Sequence, residues 1–491
     1  KSSTLVGMKL PRVMLTTIAV LAAGANVGSA QPAPVGGDSA TVAAFEQTLV
    51  DVIARAEPAV VAIARTSSAQ PSILQPQIED IFGDLRQPSI QVDPSRTTGA
   101  GVIIDPAGLV LTQYLAVRQD DEHTVTTIDG TTYAAEIRAA DPRSGLALLA
   151  IAPQASPLQR AGRPNFPALP LGDAAQLRKG QFVIVIGDPY AIRSDGQATA
   201  SWGTVTNIAR KAPSGANLND TPGPVGDYRT TYHHLGTLLQ TDAKLGWSAG
   251  GGAVVNLRGE LVGINDTTRR IIDTLRQGRE VEYGLLGVTF RATDLPVATE
   301  RVAARPTGVV VQQVYPGSPA ARAGLQPNDM ITEVEGRAVA SVDGVQLAVS
   351  TLPPGTQVAI NYTRGDRTAT ATARLAKLNV PGKKGVTPSQ WRGMRIDYAS
   401  ALDTPALVKS LSTGAIDPEG CVLVAEVEPE STAWQAGVRP GMFISHVGET
   451  RVGTPAEFQA AVQQQPREVT IRLTRPVRRP DRTEQNDVRI P

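Results

Sequence analysis

Two spacings of apolar residues divide the chain. From Thr41 to Ala56 (TVAAFEQTLVDVIARA) they recur at helical spacing, which predicts one amphipathic helix, ended by Pro58. AVVAIAR (59–65) then reads as a buried strand, and the polar, Pro/Gln-rich residues 67–98 as a long surface loop. From Gly99 onward short apolar runs alternate with Gly and Pro turns: GVIID, GLVLTQ, HTVTTIDG, AAEIRAAD, GLALLAI, FVIVIGD, ASWGTVTNI, GTLLQTD and AVVNLRGELVGIN. Many short strands with frequent turn signals predict an all-β barrel or sandwich. Helical spacing returns once, at Asp266 to Arg279 (DTTRRIIDTLRQGR).

The C-terminal part repeats itself. GLLGVTF followed by GVVVQQVYPGSPAARAGLQPNDMITEVEGRAV is matched by WRGMRIDY followed by GCVLVAEVEPESTAWQAGVRPGMFISHVGETRV. Each copy runs strand, Pro-x-Ser, small residues, a short AG(L/V)xP motif, strand, tight turn. The copies span residues 283–378 and 389–476, with a linker at 379–388 and a tail at 477–491.

Three motifs in the first half resemble the trypsin-like HtrA (Deg) proteases. TDAKLGWSAGGGAVVNLRGELVGIN (241–265) resembles the family's nucleophile segment, GAGVIIDPAGLVLTQYLAV (99–117) its histidine segment, and DPRSGLALLAI (141–151) its aspartate segment. KGQFVIVIGDPYAIRSDGQATASWGTVTNIAR (179–210) resembles a further family stretch. The resemblance implies a two-barrel trypsin-like domain over residues 41–280. The C-terminal copies resemble PDZ domains of the same family, so the implied fold is mainly β: a trypsin-like double β-barrel followed by two α+β PDZ domains.

In this register the catalytic serine falls on Gly250, the general base on Leu115 and the orienting carboxylate on Gly145. None carries a nucleophile, base or acid, so the resemblance implies a pseudoprotease. Ser248 is the one fallback nucleophile. It would need a histidine within hydrogen-bond reach, and the chain has only His123, His233, His234 and His446. The family's pocket strand is expected to be shortened or lost where Asp266 to Arg279 turns helical. For the first PDZ domain, the resemblance implies a carboxylate loop at Gly284, Leu285, Leu286, Gly287 and Val288, with Val345 to Leu352 as the helix beside the groove. In the second, Arg392, Gly393, Met394, Arg395 and Ile396 occupy that place. PDZ domains add an extended peptide to a sheet edge and hold its C-terminal carboxylate on backbone N–H groups. The implied partners are peptides or unfolded proteins, with a homotrimer or a hetero-oligomer with an active relative as the assembly.

Composition removes other classes. With 47 basic against 46 acidic residues the net charge is +1, which gives no field for nucleic acid. The arginines of RLTRPVRRPDR lack aromatic companions and read as a solvated tail. The single Cys421 excludes an internal disulfide, and no Cys/His spacing fits zinc, so no metal or cofactor is expected. Lys9 and Arg12, the apolar run Val13 to Ala23 and Gly28-Ser29-Ala30 read as an export signal that opens at Met8 and is cut before Gln31, with Lys1 to Gly7 as an upstream extension within residues 1–30. The protein is expected outside the cytoplasm, in the periplasm or beyond, with envelope association open. Three functions follow: an inactive peptide or unfolded-protein binder acting as chaperone, scaffold or regulator; an active serine endopeptidase in protein quality control; or a structural envelope component.

Overall fold

The computed structural model describes residues 37–66, 96–117, 122–152, 165–187, 198–210, 231–244, 250–291, 308–385, 390–402, 406–407, 409–410, 413–417, 419–465, 467–478 and 484–491. The export signal and Ser248 lie outside them. The chain divides at Thr48 into a short N-terminal unit and a body from Leu49 to Pro491. In the N-terminal unit the described residues open helix α1 (Gly37–Ala56), with Val42 facing solvent. In the body, the rest of α1 buries Leu49, Val52 and Ala56, and a single 3-10 turn built on Pro58 ends the helix as the sequence predicts.

Six strands form a closed barrel in the order β1-β2-β3-β6-β5-β4. They are β1 (Val60–Thr66), β2 (Arg96–Asp105), β3 (Leu109–Gln113), β4 (Glu122–Thr126), β5 (Thr132–Asp141) and β6 (Leu146–Ile151). Every strand is antiparallel to its neighbours, and alternate side chains such as Ile63, Val102, Val110, Val125 and Leu148 fill the interior. His123 sits in β4, between Arg65 and Ala135, and is buried at 5% exposure, because its place in the alternation points inward.

The second half of the peptidase-like region is a four-stranded antiparallel sheet in the order β10-β7-β8-β9, from β7 (Phe182–Ile186), β8 (Ala200–Arg210), β9 (Leu238–Thr241) and β10 (Ala253–Asn256). The sheet is joined to its flank by bridges from Leu261 to Leu171 and Val255. A short helix α2 (Tyr232–Leu235) precedes β9 and carries His233 and His234. Helix α3 (Asp266–Arg276) follows β10 directly. Its cap is Asn265, whose Oδ1 accepts from the Thr268 N–H at 2.8 Å, and it buries Ile271, Ile272 and Leu275 against β5 and β6.

The two repeats fold alike. The first contains β11 (Gly284–Leu285), β12 (Val288–Phe290), β13 (Val309–Val314), helix α4 (Pro319–Arg322), β14 (Met330–Val334), β15 (Arg337–Ala338), helix α5 (Val342–Ser350), β16 (Gln357–Arg364), β17 (Arg367–Arg374) and β18 (Ala376–Lys377). The second contains β19 (Gln390–Trp391), β20 (Met394–Tyr398), β21 (Val422–Val427), helix α6 (Thr432–Gln435), β22 (Phe443–Val447), β23 (Thr450–Arg451), helix α7 (Pro455–Gln463), β24 (Val469–Arg478) and β25 (Glu484–Ile490). The last strand corrects the expected solvated tail over 477–491. β25 pairs antiparallel with β24 and sinks Val488 and Ile490 into the second repeat's core, since these alternate residues share one face.

A buried charge cluster holds the parts together. The Lys377 side chain is fully buried at the end of β18. Its Nζ lies 2.9 Å from Glu280, 2.9 Å from Glu282 and 2.8 Å from Asp397 in β20. Lys383, in the linker, also pairs with Glu280. Burial opposes the Lys377 charge, but Asp397, Glu282 and Glu280 together outweigh it and raise the ammonium's pKa. Glu280 is shifted down: burial opposes its charge too, and Lys377 and Lys383 overcome that. The linker itself is seated on the barrel. Ala140 and Lys384 exchange both backbone hydrogen bonds, at 2.9 and 2.8 Å, and the Tyr114 hydroxyl donates to the Gly382 carbonyl at 3.0 Å.

Replacing Lys377 with Met should leave buried carboxylates without a cation and destabilise the body by about 3–5 kcal/mol, read by urea unfolding. The cluster also sets a pH window. Glu280's lowered pKa contributes stability above the ordinary glutamate value of about 4.3 and loses it as pH falls through the folded value; Lys377's raised pKa contributes below about 10.4 and is lost as pH rises through its folded value. Melting curves from pH 3 to 7 should therefore fall more steeply toward acid in the wild type than in Lys377→Met. Parallel curves would mean the cluster does not titrate with unfolding.

Candidate functional site

Leu115 and Gly145 lie in turns that follow β3 and β5, and Gly250 is bonded to β2. Leu115 lies in a single 3-10 turn (Tyr114–Ala116) that ends β3, with its side chain 80% exposed. Gly145 lies in the turn between β5 and β6, where the Tyr114 N–H donates to its carbonyl at 2.7 Å and its own N–H bonds the Asp141 carbonyl at 3.1 Å. The Gly250 carbonyl accepts from the Ala100 N–H of β2 at 3.0 Å. Ala100 is also held by Thr112, whose hydroxyl donates to the Ala100 carbonyl at 2.7 Å. Backbone hydrogen bonds thus join the Leu115 turn to the Gly145 turn, and Gly250 to β2. Of the histidines with described side chains, His123 is in the barrel wall and His446 is in β22 of the second repeat, with its Nδ1 3.0 Å from Ser445 Oγ.

The turn carrying Gly145 is fixed from below by a group that sequence reasoning missed. Asp141 is 1% exposed; its carboxylate accepts from the N–H of Ser144 at 2.9 Å and of Arg143 at 3.4 Å, and from the Tyr283 hydroxyl. Burial raises the Asp141 pKa; burial and then the Asp141 charge raise that of Tyr283, so the phenol stays the donor. Tyr283 is fully buried and meets the Tyr232 ring edge-on at 5.4 Å. The Arg143 guanidinium stacks 5.5 Å from both ring centres. Tyr232, pushed up to about 12 by burial, donates to the Ser350 carbonyl at the end of α5 at 2.9 Å, and Arg270 of α3 donates to Thr351 at 2.8 Å. The available signal was the spacing of Tyr283 just before the GLLGV loop.

Gly284, Leu285, Leu286, Gly287 and Val288 form the loop from β11 into β12. The Gly284 N–H is taken by the Leu352 carbonyl at 2.8 Å, which ties the loop to the chain just after α5. Ala320 donates to the Leu286 carbonyl at 3.0 Å and Tyr315 to that of Gly287 at 3.1 Å. Gly287 has φ +80° and lies so close to Ser318 that an added Cβ would stand 2.4 Å from the Ser318 Cβ. Leu286 points into the first repeat's core, and α5 buries Val345 and Val349 there too.

The second repeat reproduces this geometry two residues earlier than the sequence register implies. Ala433 donates to the Arg392 carbonyl and Glu428 to that of Gly393, while a Cβ on Gly393 would stand 2.2 Å from the Ser431 Cβ. Gly393 therefore matches Gly287, and Arg392 takes the place of Leu286. Of the residues assigned to this loop, Met394 and Ile396 are fully buried in the core, and Arg395 is paired with Glu426 at 2.6 Å. Their side chains pack or pair within the domain because strand β20 begins at Met394. The Arg392 guanidinium donates to the Ile490 carbonyl and, at 3.0 Å, to that of Arg467.

Among the described residues no His, Cys, Asp and Glu group could hold a metal ion. Residues 99–264 match a trypsin-like peptidase domain, and residues 284–375 and 423–475 each match a PDZ domain. The chain is 29% identical over 384 residues to the "probable periplasmic serine endoprotease DegP-like" of Chlamydia trachomatis, covering 74% of this chain and 69% of that protein. It is 27% identical over 485 residues to the protein of the same name from Halomonas elongata, covering 89% and 93%. The solved HtrA-type protease AlgW with tripeptide is 22% identical over 68% of this chain and 98% of its own, with a TM-score of 0.48. The periplasmic location in the relatives' names agrees with the export expected from the sequence. The chain thus carries one trypsin-like peptidase domain followed by two PDZ domains, and along most of its length it is similar to proteins named DegP-like serine endoprotease.

Proposed function

We propose that this protein is a proteolytically silent member of its family, which binds peptides or unfolded chains outside the cytoplasm through its first PDZ domain. One observation carries the reading: the positions that the resemblance assigns to the triad hold Leu115, Gly145 and Gly250. A peptide carbonyl placed there meets no oxygen to attack it, no imidazole to take a proton and no carboxylate to orient one. Loss of the triad costs about 10⁶ in kcat, and oxyanion stabilisation with binding leaves only about 10³–10⁴ over water. That remainder does not support useful peptide hydrolysis.

The binding role rests on the loop at Gly284 to Val288. The carbonyls of Leu286 and Gly287 are already engaged by Ala320 and Tyr315, so what this loop has to offer a ligand is N–H. N–H groups at a glycine turn suit a terminal carboxylate. In the second domain the Arg392 side chain is spent on Ile490 and Arg467, which favours the first domain as the working one. Assembly as a homotrimer, or with an active relative, would multiply these loops on one particle.

The opposing reading, an active endopeptidase in quality control, is favoured by the names of the relatives. It needs Ser248 as nucleophile. Purified protein should leave casein intact and resist a fluorophosphonate probe; labelling mapped to Ser248 would overturn the proposal. Restoring Leu115→His, Gly145→Asp and Gly250→Ser together should return little activity. Gly145 has φ +73°, where a side chain costs about 1–2 kcal/mol, and α3 starts where the family's pocket strand is expected. Brisk casein cleavage by the triple variant would show a usable substrate pocket.

A further inference from the structure

An apolar cleft of about 350 Å³ opens between the two PDZ domains. One wall belongs to the first domain: Leu285 and Val288 of the loop, then Leu378 beyond β18. The facing wall belongs to the second: Leu402, Leu407 and Ile416. No residue of α5 lines it, so it is a different space from the groove expected between the loop and that helix. Its volume suits one or two aliphatic side chains.

Its charges are unequal. Arg374 is held by Glu457 at 2.7 Å, and Asp417 and Glu419 are held by Arg451 at 2.8 and 2.7 Å. Arg322, at the end of α4, bonds only the Gly317 carbonyl, at 2.6 Å, and makes no ion pair with a carboxylate among the described residues. The cleft thus combines apolar walls, one cation left over, and one end formed by the carboxylate loop. The ligand complementary to all three is a chain with aliphatic side chains that ends in a carboxylate.

We propose that the C-terminal segment of a bound peptide or unfolded protein lies in this cleft, so that Leu402, Leu407 and Ile416 of the second PDZ domain select the terminal side chains captured by the loop of the first. The inference rests on the peptide-binding reading above and adds the second domain as the other half of the site. Arg322 supplies the balancing charge. The buried Lys377 cluster holds β18 against β20 and so fixes the width between the walls.

The test uses the full chain and a fluorescein-labelled decapeptide ending in two valines, as free acid and as amide, with anisotropy as the readout. The wild type should bind the acid and lose about tenfold on amidation, the scale of a hydrogen bond to a charged group. Ile416→Glu and Arg322→Gln should each weaken the acid peptide by about tenfold, and Arg322→Gln should narrow the gap between acid and amide. Leu402→Ala, which only trims the wall, should weaken binding two- to threefold, and it keeps the test intact if Ile416→Glu lowers the melting temperature. Wild-type affinity in Arg322→Gln and Leu402→Ala, with amidation still costly, would overturn the cleft and leave the loop in place. Equal binding of acid and amide by the wild type would overturn the loop reading as well.

Discussion

An ammonium group in a dry place governs this molecule. Lys377 has no solvent exposure, and alone there its charge would cost several kcal/mol, a large share of a domain's stability. It is tolerated because three carboxylates from two other stretches of chain close on it: Glu280 and Glu282 ahead of the first PDZ domain, and Asp397 within the second. Such a cluster is geometrically demanding. A hydrophobic contact can slide by an ångström with small loss, whereas a buried cation loses its compensation as soon as one partner moves. The segment that enters the first PDZ domain, that domain's last strand and the second domain's β20 are therefore locked in one arrangement.

A second junction follows the same logic. Asp141 is buried at the foot of the β5–β6 turn and satisfied by Tyr283 and two backbone N–H groups. Arg143 lies over two tyrosines, and one of those holds the end of α5. These contacts place Gly145 and Leu115 with care, although neither side chain has chemistry to offer.

Much of this was legible in the sequence, and the reasons differ by element. The barrel strands show as apolar runs because both hydrophobic period and turn chemistry agree there, and α3 shows because Asn265 caps a run with helical spacing. The repeats were visible through Pro-x-Ser and the glycines that Ser318 and Ser431 require. Other parts were hidden. Lys377 reads as an ordinary exposed lysine, since its burial depends on acids remote in sequence. β25 is mostly polar, and only Val488 and Ile490 betray its inward face. His123 looks solvated among acidic neighbours until strand pairing turns it inward. The loop of the second PDZ domain was shifted by its similar glycine, because register is set by carbonyl contacts that no motif spells out. The triad positions themselves came from family resemblance and from no periodicity.

The linker bridge has its own consequence for how this chain can be divided. Ala140 is 2% exposed, and its N–H and carbonyl are both satisfied by Lys384, a residue that lies beyond the first PDZ domain. A fragment ending after that domain would leave two backbone groups bare at the end of β5 and remove Gly382 from the Tyr114 hydroxyl. The barrel's edge is finished by a segment of chain that a domain map would discard. The smallest piece with a complete barrel wall therefore extends at least through Lys384.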